Sequence, residues 1–525
     1  MNIFLERLNK IIKSKIFIYS LFIIILLVMS YRFNYHKIIN YRPQAIHSWR
    51  QTDCASQALN YANKDINFFK PQLHCLLSDN YTTGYCTEEF PILYFTVGVL
   101  YKIFGFNEFI YRFLVILVYF IGLFYLFKTF NLFISNNYLS MVLTFFSFIS
   151  PVIIFYTNNF LLNVPALSFT FIGWYYFMLF YKEKKGKHFY IALVLFALAS
   201  LLKLSEAMSL FVLIGLLVFE RIPFIKFKQN KELIFGNFLK SFLLLLIPFF
   251  LIFSWYLYAS YYNESHKQMY YIFQFNPIWS MDMQSIKLVW ENITARWYYE
   301  YFDPIMYKVF LACVILAMIL FKKASKAFLT ILLFYIIGSL GFAMLWYSNL
   351  KEHDYYTISF FIAPFFLLLI TFQVMDDFLK NLKNKTIRIL SYSILIFGLV
   401  FLLIQNINYD HKKIIERYNW QYFPDSSFKD LFFIKDYLKE IGVTSDDKVI
   451  VLPDMSTCYS LYIIDQPGWT NFLFDYNPEI LKKYIEKGAK YFIIVGSEPL
   501  QQEVLKPFLT NKVGEQGDIT IFKVN

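Results

Sequence analysis

Long apolar runs recur along most of this chain and constrain its fold more than any other feature. A first run extends from Ile16 to about Phe33. Further apolar segments lie near residues 90–105, 109–130, 138–157, 161–181, 189–219, 240–258, 306–321, 327–347, 355–374 and 388–406. Most of them reach the roughly 17–25 residues that a helix needs to cross a bilayer. With 58% hydrophobic and 16% charged residues, the chain is predicted to be an all-α polytopic membrane protein with eleven to thirteen transmembrane helices.

Basic residues lie between the apolar runs and predict the orientation of the chain. Arg7, Lys10 and Lys13 precede the first run, which lacks a small-residue cleavage site and is predicted to be retained. Basic clusters follow at residues 182–187, 221–231, 322–326 and 380–388. Since positive loops stay inside, we expect a cytoplasmic N-terminus in a plasma or inner membrane, with loop 34–89 outside. These dispersed anchors account for the net charge of +12 and form no single basic face, which argues against a nucleic-acid partner.

One stretch does not fit a simple series of crossings. Loop 34–89 is expected outside and the cluster at 182–187 inside, which requires an odd number of crossings between them. Four apolar segments lie there, so we expect one to be re-entrant, broken or fused. Segment 189–219 carries Lys203 and Glu206 near its middle and is compatible with a hairpin of two short helices.

The composition changes from about Asn408 onwards. Residues 427–440 and 477–488 have helical spacing, whereas short strands are predicted at 449–452, 461–464, 491–495 and 519–524. We therefore divide the chain into a transmembrane domain, 1–408, that includes the first external loop, and a small α/β domain, 409–525. The basic cluster at 380–388 predicts that this second domain lies outside the membrane.

The first external loop carries two candidate catalytic carboxylates. Asp53 ends the sequence His-Ser-Trp-Arg-Gln-Thr-Asp, and Glu89 precedes Phe-Pro at the entry to the next apolar run. A carboxylate near an acceptor hydroxyl can act as a general base, and a second acid can bind a divalent ion or the acceptor. The alternative for Asp53 is that it caps a helix that starts near Cys54. Cys75 and Cys86 in the same loop form either a disulfide or free thiols.

Basic and aromatic groups elsewhere are candidate phosphate ligands. Lys351, His353 and Tyr355 lie between two apolar runs on the predicted outer side, where an ordinary interfacial loop is the alternative. Lys203 lies within an apolar stretch, where a charge indicates either function or a hairpin tip at the interface. Arg296 is a further candidate, although an arginine among aromatic residues is more often an interfacial anchor. The sequence has no Gly-rich phosphate loop, H-E-x-x-H motif or internal repeat.

Four short motifs, taken in order, carry a family resemblance. They are H-S-W-R-Q-T-D at 47–53, E-F-P at 89–91, N-V-P-A-L at 163–167 and K-E-H-D-Y-Y at 351–356. Together they resemble bacterial members of glycosyltransferase family 39, which have the GT-C fold and are similar to protein O-mannosyltransferases and to the aminoarabinose transferase of lipid A. The resemblance covers roughly residues 10–410, although the motifs occupy only a few dozen positions.

The resemblance implies a role for individual residues. Asp53 corresponds to the catalytic base or to part of a metal-assisted site, and Glu89 to the acid of an E-x-P motif. Lys203, Lys351 and His353 fall where the family places cationic contacts to the donor phosphate. Two departures stand out in this sequence. Phe90 replaces a lysine of the lipid A enzymes, and Asn163 replaces an aspartate of many relatives, which puts a catalytic role at that position in doubt.

The favoured hypothesis is inverting transfer of a sugar from a polyprenyl-phosphate donor to an extracytoplasmic glycan, lipid or protein. A divalent ion bridging Asp53 or Glu89 to the phosphate is the expected cofactor. An O-antigen ligase or polymerase is the enzymatic alternative, expected to use external Arg and His groups without the early acid pair. A secondary transporter is the non-enzymatic alternative, expected to show an internal repeat and midplane charges.

Overall fold

The structure is a computed structural model that describes residues 14–64, 66–222, 233–270, 275–419 and 426–524. Arg7, Lys10 and Lys13, and most of the basic cluster at 221–231, lie outside the described residues.

The membrane part is built from long apolar helices, as predicted. Seven of them in the described ranges are long and apolar enough to cross a membrane. They are α1 (Lys15–Arg32), α5 (Glu108–Phe133), α8 (Asn163–Glu183), α11 (Phe238–Ser265), α15 (Lys326–Leu345), α16 (Ile362–Lys380, extended by a 3-10 stretch from Asp354) and α17 (Lys385–Asn419).

Two sharply bent helix pairs and three shorter apolar helices complete the membrane part. The bent pairs are α6 (Asn137–Phe146) with α7 (Pro151–Thr157), and the segment containing α12 (Met283–Asn292) and α13 (Tyr298–Tyr301) with α14 (Pro304–Ile319). The shorter helices are α4 (Ile92–Phe104), α9 (Gly186–Leu202) and the segment Leu204–Phe219, which contains α10 (Met208–Phe219). By length and composition the described residues hold seven helices that could cross a membrane, or nine if each bent pair is one span, and the predicted eleven to thirteen crossings would require the shorter apolar helices to cross as well.

Two helix breaks lie in the segments where the charge pattern predicted an irregular crossing. The pair α6–α7 is bent by 86°, with Ser150 extended and Pro151 at the first position of α7, where its missing N–H costs nothing. A bend of this size fits either a broken span or a re-entrant segment, which are two of the forms predicted for this part of the chain. Segment 189–219 is likewise divided into two short helices, because Lys203 has an extended backbone between α9 and a 3-10 turn.

Asparagine side chains fix several helix starts. Asn107, Asn136 and Asn237 each accept a hydrogen bond from a backbone N–H in the first turn of α5, α6 and α11. Such caps satisfy N–H groups that have no partner within the helix.

Loop 34–89, predicted to be the first external loop, contains α2 (Tyr35–Ile38) and α3 (Ser48–Asn63). Helix α3 starts at Ser48, after His47, which has a left-handed backbone with φ 56°. Asp53 therefore lies well inside α3, so the alternative that it caps a helix near Cys54 is wrong. Most α3 side chains are buried, which accounts for a helix of low apolar content that no hydropathy pattern indicated. Cys75 and Cys86 are both buried free thiols.

The C-terminal region forms a mixed sheet with flanking helices. Helix α17 runs to Asn419, past the predicted boundary at 408. The elements that follow are α18 (Ile434–Glu440), β1 (Lys448–Leu452), α19 (Tyr459–Ile464), β2 (Gly468–Trp469), α20 (Pro478–Glu486), β3 (Ala489–Val495), β4 (Lys512–Gln516) and β5 (Ile519–Lys523). The strand order is β2-β1-β3-β5-β4, with β2, β1 and β3 parallel and the β3–β5 and β5–β4 pairs antiparallel.

Two predictions for this region are corrected. Residues 461–464, predicted as a strand, form the end of helix α19, because a short run that is buried on all sides has no periodicity to distinguish the two. The predicted helix at 427–440 is a 3-10 turn, Ser426–Phe432, followed by α18.

The first external loop and the C-terminal sheet are joined through their backbones. Cys75 forms an isolated parallel β-bridge with Gly468. The Leu76 N–H donates to the Gly468 carbonyl at 2.9 Å, and the Gly468 N–H donates to the His74 carbonyl at 3.0 Å. Trp469 donates its indole N–H to the Leu76 carbonyl at 3.0 Å. One apolar core contains residues of both parts, so the loop and the C-terminal domain lie on the same side of the membrane part.

Candidate functional site

A compact charged cluster lies where α3, the start of α4 and the α9 break meet. The Arg50 guanidinium contacts Glu88 at 2.9 Å and also forms an ion pair with Glu89. Lys203 forms a second ion pair with Glu89, and Tyr94 donates its hydroxyl to the same carboxylate at 3.2 Å. The structure thus brings together two of the predicted residues, Glu89 and Lys203.

Arg50 is the cluster residue that was not predicted. It lies three positions before Asp53 in the same motif, and this spacing places both side chains on one face of α3. This spacing is the sequence signal from which Arg50 could have been predicted as a site residue.

The two cations keep Glu89 ionised. Burial by itself would raise the pKa of this carboxyl, but the charges of Arg50 and Lys203 outweigh burial and lower the pKa to about 2. Glu89 is therefore a fixed negative charge between two positive ones at any physiological pH. It is suited to holding Arg50 and Lys203 in place and not to exchanging a proton.

Asp53 has a different environment. Its side chain is 1% exposed and accepts hydrogen bonds from the Tyr270 hydroxyl and, at 3.3 Å, from the Cys458 thiol. Burial raises the pKa of Asp53 to about 6, against the opposing effects of Arg50, Tyr270 and Cys458. A carboxyl that titrates near the working pH exchanges protons most effectively, so Asp53 has the properties of a general base.

A second buried cluster is centred on Asp354. Its carboxylate accepts from the Tyr156 hydroxyl at 2.5 Å, lies 3.3 Å from His47 Nε2 and pairs with Arg417 Nη2 at 2.8 Å. Arg417 in turn contacts Glu300 at 2.7 Å. No sequence motif linked these residues, because they come from distant parts of the chain.

The rings of His353 and Tyr355 pack against that of His47. His47 links the two clusters, because it contacts Asp354 and directly precedes α3, which carries Arg50. The ring centroids of His353 and Tyr355 are 5.5 Å and 5.1 Å from that of His47. Burial, and next the neighbouring His47, lower the pKa of His353 to about 3, so its imidazole is neutral. His353 would therefore contact a phosphate as a neutral hydrogen-bond donor and not as the predicted cation.

Lys351 and Arg296 belong to a separate, more exposed group. The Lys351 side chain is 49% exposed and lies 3.5 Å from Glu352. The Arg296 guanidinium lies over the Trp297 ring at 4.5 Å, and Trp297 donates to the Leu350 carbonyl at 2.9 Å. The contact between Trp297 and Leu350 thus joins the segment that carries Arg296 to the segment that carries Lys351.

Asn163 supports the backbone of this site. Its side-chain amide donates to the Tyr355 carbonyl at 3.0 Å, which ties the start of α8 to the Asp354 stretch.

The donor set does not fit a resident metal ion. Among the described residues, no group of three or more His, Cys, Asp and Glu side chains is arranged to hold one. Asp53 and Glu89 already accept from protein donors, and the positive charge beside Glu89 comes from Arg50 and Lys203. A divalent ion at Asp53 and Glu89 therefore remains a prediction from the family resemblance alone.

Comparisons with known proteins agree with this architecture. A family model for dolichyl-phosphate-mannose-protein mannosyltransferase matches residues 89–255. The solved structure of ArnT from Cupriavidus metallidurans bound to undecaprenyl phosphate has a TM-score of 0.56 and 10% identity, over 97% of this chain and 98% of that chain. Its apo state gives a TM-score of 0.53 and 11% identity, over 96% and 97%.

A larger protein shares the fold over part of its length. Arabinofuranosyltransferase AftD from Mycobacteria has a TM-score of 0.53 and 11% identity, over 98% of this chain but 40% of that chain. No curated protein sequence matches the chain. At these identities the solved structures establish the fold, and the predicted GT-C resemblance is confirmed.

Proposed function

We propose that this chain, which has the fold of the GT-C membrane glycosyltransferases, transfers a sugar from a polyprenyl-phosphate donor to an acceptor hydroxyl, with inversion at the sugar carbon. The observation that carries the proposal is Asp53, a buried carboxyl whose pKa burial raises to about 6 and which lies 3.9 Å from Arg50 of the charged cluster. An acid of this kind beside two cations provides both a base for the acceptor and positive charge for a phosphate.

The proposed step uses the residues of the chain alone. Asp53 takes the proton from the acceptor hydroxyl as its oxygen forms a bond to the sugar carbon. The bond from that carbon to the phosphate oxygen breaks on the opposite face, and the electron pair leaves with polyprenyl phosphate. The developing charge on the leaving phosphate is the charge that nearby cations stabilise.

Lys203 is the favoured donor-phosphate ligand. Its ammonium carries three N–H donors, so it is able to hold Glu89 and a phosphate oxygen at once. His353 and Tyr355 would add neutral donors close to the same place, and Lys351 and Arg296 would meet the phosphate or its sugar. The lipid chain would remain in the bilayer.

The contacts between loop 34–89 and the C-terminal domain support one orientation. Both lie on one side, so an N-terminus in the cytoplasm puts both outside the plasma or inner membrane, where the acceptor would be. This arrangement agrees with the basic clusters that were predicted to be cytoplasmic.

The contacts of Lys203 and Glu206 account for the charges that suggested a transporter. Lys203 pairs with Glu89 of the external loop, and Glu206 accepts from the Thr170 hydroxyl at 2.7 Å. An O-antigen ligase or polymerase remains the enzymatic alternative, and the identity of the lipid-linked sugar that accumulates in cells without the protein would separate the two.

The first prediction is that Asp53→Asn abolishes transfer. Loss of a general base typically lowers the rate by about 10²–10⁴. The measurement is release of polyprenyl phosphate by the purified protein, supplied with the lipid-linked sugar that accumulates in the deletion strain. Asp79→Asn is the matched control, because Asp79 lies in the same loop but contacts His266 at 3.0 Å. Donor binding and thermal stability should change little in either variant, and normal turnover by Asp53→Asn would refute the assignment.

A further inference from the structure

The C-terminal domain reaches the candidate base directly. The Cys458 side chain is fully buried, and its thiol donates to Asp53 Oδ1 at 3.3 Å. The other carboxylate oxygen accepts from the Tyr270 hydroxyl. Asp53 is therefore held by one residue from after α11 and one from the C-terminal domain, in addition to Arg50 on its own helix.

The segment that carries Cys458 is firmly held. Buried Asp454 accepts from the backbone N–H groups of Ser456 at 2.8 Å and Ser460 at 2.9 Å, and its own N–H donates to Asn471 at 2.6 Å. Cys458 lies between these bonds, immediately before α19, which packs on α3. A thiol on a rigid segment has a defined direction, and this one is directed at Asp53.

A second connection fixes α3 against the same domain. The Ser56 hydroxyl on α3 shares a hydrogen bond of 2.8 Å with His74 Nδ1. The His74 carbonyl in turn accepts from the Gly468 N–H of β2. The helix and the sheet are thus attached at two places, one at Asp53 and one at Ser56.

We propose that the C-terminal domain is part of the catalytic centre, where Cys458 is a positioning residue that holds the Asp53 carboxylate in place. The inference rests on the proposed role of Asp53 as the base. It makes the domain more than an attached module, because the direction of the base would depend on one of its side chains.

The direction of the effect follows from the groups that face Asp53. They are Arg50 on α3, Glu88 before α4, the thiols Cys75 and Cys86 of the first loop, Tyr270 after α11, and Cys458. Tyr270 donates to Oδ2 and Cys458 to Oδ1, so removal of the thiol takes away the hydrogen bond that ties Oδ1 to the C-terminal domain. The carboxylate is then held less firmly toward the acceptor, so kcat should fall while KM for the donor stays near the wild-type value.

The test is a measurement of kcat and KM for Cys458→Ala and Cys458→Ser. Cys458→Ala should lower kcat about threefold or more, the size of effect that one lost hydrogen bond produces, with KM for the lipid-linked sugar near the wild-type value. Cys458→Ser, whose hydroxyl is also a donor, should restore most of the lost kcat. Cys313→Ala, a buried thiol in α14, is the matched control and should keep the wild-type kcat and KM.

The outcomes separate this inference from the proposed function. If Asp53→Asn is inactive while Cys458→Ala keeps the wild-type kcat, the positioning role is refuted and the base assignment stands. If Cys458→Ala does not fold, Cys458→Val, which fills the space without a donor, takes its place. An unchanged kcat in that variant, or a Cys458→Ser variant with kcat as low as the variant without a donor, overturns the inference. If Asp53→Asn is active, the proposed function itself fails.

Discussion

At the scale of single residues, the buried ion pairs around Glu89 determine which cation is best placed to bind a donor phosphate. Glu89 is 3% exposed and Lys203 14% exposed, so water screens their interaction little. Lys351 is 49% exposed and already near Glu352, where solvent weakens any charge. Lys203 and Lys351 were both predicted as phosphate ligands, but the charge of Lys203 is screened less and would attract a phosphate more strongly.

The prediction at this scale compares Lys203→Met with Lys351→Met. A charge-assisted hydrogen bond in a partly dry site is worth roughly 1.5–3 kcal/mol, so Lys203→Met should weaken polyprenyl-phosphate binding about tenfold or more. Lys351→Met should have a smaller effect, because its charge is screened. Titration of each purified variant with a short-chain polyprenyl phosphate measures both. Equal losses, or a larger loss for Lys351→Met, would show that the phosphate rests near Lys351 and not at Glu89.

At the scale of structural elements, the attachment of the external loop to the sheet depends on one glycine. A Cβ at Gly468 would lie 1.9 Å from the Val449 carbonyl oxygen, which is far inside van der Waals contact. Gly468→Ala should therefore push β2 away from β1 and loosen residues 74–76. Overpacking of this kind costs about 1–3 kcal/mol, visible as a lower unfolding temperature and reduced transfer.

Gly398→Ala is the control for this change. Gly398 lies within α17 and has nothing within 4 Å of the added methyl group, so the same substitution should leave stability and transfer near wild type. If Gly468→Ala unfolds at the wild-type temperature, the pairing of the loop with the sheet does not contribute to stability.

The elements differed in how well the sequence predicted them. The membrane helices and the division at Lys203 were predictable, because apolar length and the position of charges are local properties of the chain. An irregular segment was predicted among the four that follow the first loop, but not which of them it is. Three of the four predicted strands were also confirmed, since their buried runs have turn residues on both sides. Helix α19 was not, because an all-buried run of six residues suits either structure.

The sequence predicted single residues of the site and not the contacts between them. Asp53, Glu89 and Lys203 were identified one by one, but their partners Tyr270, Cys458 and Arg50 were not. Tyr270 and Cys458 reach Asp53 only through the tertiary fold, and no local pattern records such contacts. Conversely, Lys351 has the expected residue type, but its side chain is 49% exposed.

At the scale of the whole molecule, the contacts constrain above all which segments lie on the same side of the membrane part. The C-terminal domain and the first external loop lie on one side, whereas the turn at Lys184 to Gly186 follows α8 at its opposite end. All five native cysteines are buried, so an introduced surface cysteine would be labelled over a low background.

The prediction is that Lys439→Cys is labelled by an impermeant thiol reagent in intact cells, with any outer membrane permeabilised, and that Lys185→Cys is labelled only after lysis. Lys439 and Lys185 are 66% and 61% exposed, which makes them a matched pair. The reverse pattern would invert the orientation, and labelling of both positions in intact cells would contradict the helix count between them.

The bond between Asp53 and Cys458 joins residues that are 405 positions apart, and this separation has a consequence for biosynthesis. A ribosome that adds about 5–20 residues per second needs roughly 20–80 s to travel that distance. During this time loop 34–89 is already made, yet the sheet edge and the thiol that complete it do not exist. Every candidate membrane helix of the described chain is translated before the last strands. A chain cut short by a late frameshift would thus reach the membrane with its charged cluster in place and its base uncovered.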